Sequence, residues 1–247
     1  MNKKERLDAI MDIMRRYKYV TVKFLTEELH YSTATINRDL NSLMRQKLIT
    51  RSYGGAELLE TKSIPLMFRY HKMKAEKNRI AKKASEFIND GDTIFIDGST
   101  TTQYIGQHLF NKKNITVITN NIYLVSFLSE NGIDAICLGG KISEPPNMLC
   151  SSETIENLSH YTADKFFFST VGINEYGDIV SSDLYFLMHR IMAKNSAEQF
   201  FLLDHGKTHC KAPKILFSLD EISHFISDFA LPENITDKFP DTTFITV

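Results

Sequence analysis

The chain has 247 residues, 43% of them hydrophobic and 11% aromatic, which is enough to bury a sizeable core and excludes a disordered or low-complexity protein. No apolar run approaches the roughly 20 residues that span a bilayer, and Met1 to Arg16 lacks the uninterrupted apolar core of a secretory signal, so a cytoplasmic protein with no membrane partner is expected. The net charge of −1 conceals an asymmetry: residues 1–83 hold 19 Lys/Arg against 9 Asp/Glu, and residues 84–247 hold 10 against 21, so only the front end is expected to meet a polyanion.

Leu7, Ile10, Met11 and Met14 recur at helical spacing and predict an amphipathic helix over residues 3–16. Thr21 can cap a second helix carrying Val22, Leu25 and Leu29 on one face. His30 and Tyr31 form a short turn, and Ser32 caps a third helix over 33–46 with Ile36, Leu40, Leu43 and Met44 inward. Leu48–Ser52 reads as a strand, Tyr53-Gly54-Gly55 as a turn, and Ala56–Leu59 as a returning strand. Three helices and a hairpin in so short a span are the layout of a winged helix-turn-helix over residues 1–58.

On the third helix, Ala34, Arg38, Asn41 and Arg45 lie opposite the core face, with Asn37 on their flank. Such a face suits a DNA major groove, because Arg pairs with guanine and Asn with adenine; a solvated helix face has the same composition. Ser32, Thr33 and Thr35 crowd the helix start, where hydroxyls and free N–H groups hold phosphate. Arg51 on the wing can reach a neighbouring phosphate or the minor groove.

Residues 59–75 form a basic linker in which Pro65 discourages a continuous helix, and a helix starts near residue 74. Beyond it, strands are predicted at Thr93–Asp97, Thr116–Thr119, Asp134–Leu138, Lys165–Thr170, Gln199–Leu203, His224–Ser227 and Thr243–Thr246, with helices between most of them. That alternation gives an α/β domain over 76–247 with a mostly parallel sheet, whose ligands bind beyond the carboxyl ends of the strands. Asp97 leads into a turn of Ser99, Thr100, Thr101 and Thr102, whose hydroxyls suit an anion or serve as ordinary helix caps. Thr119 and Asn120, the Gly139-Gly140-Lys141 loop, Gly172, and Asp204 with Lys207 fall at other strand ends and fit the same pocket. Cys137, Cys150 and Cys210 are odd in number and form no C-x-x-C, so neither a disulfide framework nor a zinc site is indicated; the thiols are buried or incidental, and no metal or cofactor is expected.

The stretch Tyr31–Ala56, with its R-D-L core and terminal G-G-A, resembles the DeoR family of bacterial sugar-catabolism repressors. The resemblance continues through E-K-N-R-I-A at Glu76–Ala81, D-G-D-T-I-F-I-D at Asp90–Asp97, V-I-T-N-N, L-G-G-K, A-D-K at Ala163–Lys165 and L-L-D-H-G-K, to about Asp228. It implies that Arg38 contacts DNA and that Gly54-Gly55 close the wing. It also implies an effector domain similar to the ribose-5-phosphate isomerase and CoA-transferase fold, binding a phosphorylated sugar. Asn37 stands where the family has a first arginine, and Tyr53 where it has histidine. The turn reads D-G-S-T-T rather than D-S-G-T-T, Leu149-Cys150 replaces Val-Gly, and Ser182–Phe186 lacks the family's glutamates.

The expected function is a sequence-specific transcriptional regulator, a repressor of carbohydrate genes, that binds a double-stranded DNA operator as a homo-oligomer. A phosphorylated sugar in the second domain changes its DNA affinity. Tyr185-Phe186-Leu187-Met188 reads as core helix or as a subunit interface. One alternative is an isomerase- or deaminase-like enzyme with Asp97, Asp204 and His205 as the acid–base candidates. Another is a DNA-binding protein with a ligand-free effector domain.

Overall fold

The computed structural model describes residues 3–17, 19–45, 48–52, 54–58, 73–144, 148–181, 183–208, 210, 212 and 214–247. The chain divides into two compact units, Met1–Lys72 and Met73–Val247. Most of the expected linker, together with Tyr53, Leu59 and Ser182, lies outside the described residues.

In the first unit α1 (Lys3–Tyr17) is followed by β1 (Tyr19–Thr21), α2 (Val22–Leu29) and α3 (Thr33–Arg45). Thr21 Oγ1 accepts from Phe24 N at 3.0 Å and so caps α2. His30 then turns the chain in a left-handed conformation, φ 56°. Ile10, Met14, Leu25, Ile36, Leu40 and Leu43 close the core with Ile49 of β2 (Ile49–Ser52) and Ala56 of β3 (Gly55–Leu58). Each buried Ile, Leu or Met side chain contributes about 1.5–3 kcal/mol by leaving water. Met44, expected inward, is instead 41% exposed. It stands about 80° round the helix from Ile36, past the stripe that Leu40 and Leu43 fill.

The strands pair antiparallel in the order β1-β3-β2. β1 was not among the expected elements, being only three residues long and too short for alternation to show. It explains Gly55: a Cβ there would stand 2.4 Å from Val20 O. The preceding Gly54 takes φ 74°, which the wing turn requires.

The second unit is built on a seven-stranded parallel sheet, ordered β15-β14-β12-β9-β4-β5-β6. Its strands are β4 (Thr93–Ile96), β5 (Thr116–Thr119), β6 (Asp134–Cys137), β9 (Ala163–Phe168), β12 (Ser196–Leu203), β14 (His224–Ser227) and β15 (Thr243–Thr246). The helices are α4 (Lys74–Ser85), α5 (Ile122–Glu130), α6 (Ser152–Leu158), α7 (Asp183–Lys194) and α8 (Glu233–Thr236). β9 shows why the sheet is buried on both faces. Phe166 and Phe168 stack at 4.7 Å in one core with Phe95 and Phe201, while Phe167 stacks at 4.7 Å on Phe200 in the core opposite.

The hairpin β7 (Ile142–Glu144) and β8 (Met148–Leu149), and an antiparallel sheet of β10 (Gly172–Ile173), β11 (Ile179–Ser181) and β13 (Lys214–Phe217), add to the expected set. At two to four residues each, these strands carry no readable period. In α7, Met188 is buried and Leu187 is 56% exposed. Cys137 is exposed, and Cys150 and Cys210 are half-buried.

Candidate functional sites

On α3 the outward face is as the spacing predicts: Ala34, Arg38, Asn41 and Arg45 are exposed, as are Ser32 and Thr33. Ser32 Oγ accepts from Thr35 N at 3.3 Å and lies 3.0 Å from Thr35 Oγ1, which fixes the helix start. Arg51 of the wing donates through Nη2 to Asn37 Oδ1 at 2.8 Å, while its Nη1 is buried with no hydrogen-bond partner among the described residues. Asn37 and Arg51 thus form one unit between recognition helix and wing. The inward side of α3 carries what periodicity missed. Asp39 is fully buried and receives both Nε and Nη2 of Arg6, whose guanidinium also lies 4.8 Å from the Tyr31 ring centroid. The Asp39 carboxylate holds the Arg6 guanidinium above its ordinary pKa.

In the second unit the turn after β4 is centred on Asp97, which is 1% exposed. One carboxylate oxygen accepts from Thr102 Oγ1 at 2.6 Å and Ser99 N at 3.2 Å; the other accepts from Ser169 N at 3.2 Å and lies 3.1 Å from His189 Nε2. Ser99 Oγ lies 2.8 Å from Thr102 Oγ1. Thr102 opens a 3₁₀ helix that runs to His108.

Two cations meet the next two hydroxyls. Lys77 Nζ donates to Thr100 Oγ1 at 3.0 Å, and Lys207 Nζ donates to Ser169 Oγ at 2.8 Å and Thr101 Oγ1 at 3.4 Å. Asp204 Oδ1 accepts from Gly206 N at 3.2 Å; its Oδ2 is buried without a hydrogen bond among the described residues, 3.9 Å from Lys207 Nζ. Asn120, fully buried, ties β8 through Nδ2 to Leu149 O at 2.8 Å. Its Oδ1 lacks a hydrogen bond among the described residues, and a Cβ on Gly98 would stand 3.2 Å from it.

Asp97, Ser99, Thr100, Thr101, Thr102, Asn120, Asp204 and Lys207 therefore gather where β4, β5, β9 and β12 end. Thr119 is buried there too, its hydroxyl accepting from Asn121 N at 3.1 Å. Gly172 presses on the backbone of Lys207, leaving 2.2 Å between a Cβ and Lys207 O. Gly139, Gly140 and Lys141 lie at the cap of α6, where Thr154 Oγ1 donates to Gly139 O at 2.8 Å and Lys141 N donates to Ser151 Oγ at 3.1 Å. Lys77, Ser169 and His189 were not singled out by spacing. They come from α4, the end of β9 and α7, and only folding brings them to the turn.

His205, an acid–base candidate, is turned away to Asp228, with Nδ1 2.6 Å from Asp228 Oδ2. That carboxylate raises the imidazole above its ordinary range. The histidine beside Asp97 is His189 instead.

A family model described as a DeoR-like helix-turn-helix domain matches residues 6–62, and one described as a DeoR C terminal sensor domain matches residues 72–229. The chain is 35% identical over 231 residues to the HTH-type transcriptional repressor GlcR of Bacillus subtilis, covering 92% of this chain and 89% of that protein. It is 35% identical over 214 residues to a lactose phosphotransferase system repressor of Lactococcus lactis, covering 84% of each. It is 28% identical over 244 residues to the glycerol-3-phosphate regulon repressor of Escherichia coli, covering 98% of this chain and 97% of that one. Among solved structures, ribose 5-phosphate isomerase A of Methanocaldococcus jannaschii aligns with a TM-score of 0.42 and 16% identity over 56% of this chain and 55% of that one. The relatives are named as repressors, which sets the enzyme alternative aside. Among the described residues no helix is long and apolar enough to cross a membrane. With both domain models matched in order over most of its length, the chain belongs to the DeoR family of DNA-binding transcriptional regulators.

Proposed function

We propose that this regulator is a cytoplasmic homo-oligomeric repressor of carbohydrate genes whose affinity for its operator is changed by a phosphorylated sugar. The observation that carries the sugar-phosphate reading is Lys207, whose ammonium reaches Thr101 Oγ1 and Ser169 Oγ beside the buried Asp97, with Asp204 Oδ2 and Asn120 Oδ1 nearby as acceptors. A phosphate takes charge-assisted bonds from the lysine and donors from the threonine turn; sugar hydroxyls donate to the carboxylate and the amide oxygen. Named relatives that are repressors of glycerol-3-phosphate and lactose phosphotransferase genes support the same class of ligand.

In the first domain, over residues 1–58, we assign Arg38 and Asn41 to base edges, with Asn37 beside them. Ser32, Thr33, Thr35 and Arg51 are assigned to the phosphate backbone. The second domain, over 76–247 and joined by a linker at 59–75, senses the ligand, with Thr119 and Gly172 shaping the pocket. Gly139, Gly140 and Lys141, on the loop tied to the α6 cap, are assigned to the same ligand. The test is thermal unfolding of wild type and Lys207→Ala with a panel of sugar phosphates added singly. One compound should raise the wild-type midpoint and leave the variant's unchanged; no stabilisation by any member would favour a ligand-free effector domain.

A further inference from the structure

Asn37 stands on the flank of the outward face of α3, and Arg51 stands on β2, 14 residues later in the chain; both are half-buried. Each is fixed at its base. The backbone of Arg51 is paired with Ala56 in the wing ladder, and Asn37 follows Ile36, which has no solvent exposure. Arg51 Nη2 donates to Asn37 Oδ1 at 2.8 Å. A guanidinium has N–H donors and no acceptor, so the amide can present only its oxygen to it. The oxygen end of Asn37 is therefore turned to the wing, and Nδ2, with both its hydrogens, is turned away from Arg51.

That orientation decides what the side chain can read. An unrestrained asparagine matches adenine, because its oxygen accepts from N6–H while its nitrogen donates to N7. In Asn37 the oxygen already carries a charge-assisted hydrogen bond, and the cation that makes it repels a further donor such as the adenine amino group. What remains is a pair of N–H donors. Among the purines, guanine is the one whose major-groove edge carries acceptors alone, O6 beside N7. Arg51 Nη1 is itself buried, so the guanidinium that fixes the amide is seated in the junction of helix and wing.

We propose that Arg51 holds Asn37 as a donor-only reader, so that the regulator selects a G·C pair over an A·T pair where Asn37 meets the major groove. Asn37 determines specificity there, and Arg51 is a positioning residue, a task beside its assignment to phosphate. The inference rests on the placing of α3 in the major groove, and at this one position it replaces the general pairing of asparagine with adenine.

The test is selection of binding sites by the full-length protein from a duplex DNA library randomised across the region it protects on its own promoter. Wild type is compared with Asn37→Ala, Asn37→Asp, Arg51→Met and Arg38→Ala, and unfolding midpoints verify that each variant is folded. Wild type should prefer G·C to A·T by about tenfold at one position of each half-site. Asn37→Ala should lose that preference and retain the others, and Arg38→Ala should lose a preference at a different position. Asn37→Asp keeps an acceptor for Arg51 but has no donor, so it too should lose the guanine preference. Arg51→Met releases the amide oxygen, and A·T should rise at that position to within about twofold of G·C. If wild type selects no sequence, the recognition-helix reading falls and the proposal with it. If wild type selects a sequence that Asn37→Ala selects equally at every position, or if the pair that depends on Asn37 is A·T, the recognition helix stands and the proposal is refuted. If Arg51→Met binds more weakly with every preference intact, Arg51 serves phosphate alone and its positioning of Asn37 is overturned.

Discussion

Arg6 and Asp39 form a two-pronged ion pair that fastens α1 to the buried side of α3: Arg6 Nε and Nη2 both address the Asp39 carboxylate, the latter at 3.1 Å, and Asp39 has no solvent exposure. The helix that presents Arg38 and Asn41 outward is thereby held from behind by a charge. Removing one partner of such a pair leaves the other uncompensated, at a cost of about 3–5 kcal/mol when both are buried. Arg6 keeps 14% side-chain exposure, so the low end, about 3 kcal/mol, is expected for Asp39→Ala. Thermal or urea unfolding followed by circular dichroism measures it, and a double-mutant cycle with Arg6→Ala should show coupling above about 1 kcal/mol. Additive losses would mean that the pair does not act as one.

The outward face should behave differently. Arg38→Ala and Asn41→Ala touch no core residue, so the fold should keep its midpoint while operator binding weakens by about 1–3 kcal/mol for each lost base contact. Because Arg51 is held by Asn37 at 2.8 Å, Asn37→Ala and Arg51→Ala should be non-additive in DNA affinity. Independent effects at these two positions would show that Asn37 acts on DNA by itself. Fluorescence anisotropy on labelled operator, at two salt concentrations, separates base contacts from phosphate contacts.

His30 sits at φ 56° between α2 and α3 and is exposed. Relief of the left-handed strain by glycine outweighs the added entropy of the unfolded chain, so His30→Gly should stabilise the first unit by about 0.5–1 kcal/mol. A lower midpoint for this variant would show that the imidazole makes a contact worth more than the strain.

How stability varies with pH depends on two histidines of opposite sign. Asp228 raises the His205 imidazole above its ordinary 6.5, so this pair's contribution is full below that value and is lost as pH rises through the raised folded value. His205 is 55% exposed, which keeps the effect under about 1 kcal/mol. Burial lowers His224, whose contribution is present above 6.5 and lost as pH falls through its folded value. Midpoints taken from about pH 5 to 9 should fall on both limbs, with the alkaline limb flattened in His205→Asn. An unchanged alkaline limb in that variant would remove the pair from the account.

Much of this was legible in the sequence because the signals are local. The caps at Thr21 and Ser32, the helical stripe through Ile36, Leu40 and Leu43, and the apolar runs of the parallel strands each lie within a dozen residues. Asp97 and the threonines were legible as a turn between strand and helix. What was not legible depends on partners distant in sequence. Asp39 looks like another polar residue until Arg6 is placed 33 positions away. His189 reads as a helix residue until α7 packs against the turn 92 residues earlier. Lys77 belongs to a basic run whose members Lys74, Arg79 and Lys82 are exposed, and periodicity could not single it out. Gly139-Gly140-Lys141 was legible as a strand-end loop, but its tie to the Ser151 and Thr154 hydroxyls was not. The strands β10, β11 and β13 are too short to leave a pattern.

The central claim, that a DNA-reading domain is governed by a phosphate-sensing one, is tested most directly by a mobility shift on the protein's own promoter region with sugar phosphates added singly. Wild type should bind the fragment in a sequence-specific way and Arg38→Ala should not. One sugar phosphate should change the wild-type shift, an effect that Lys207→Ala abolishes while still binding DNA. Absence of sequence-specific binding by wild type at moderate salt would contradict the account at its root.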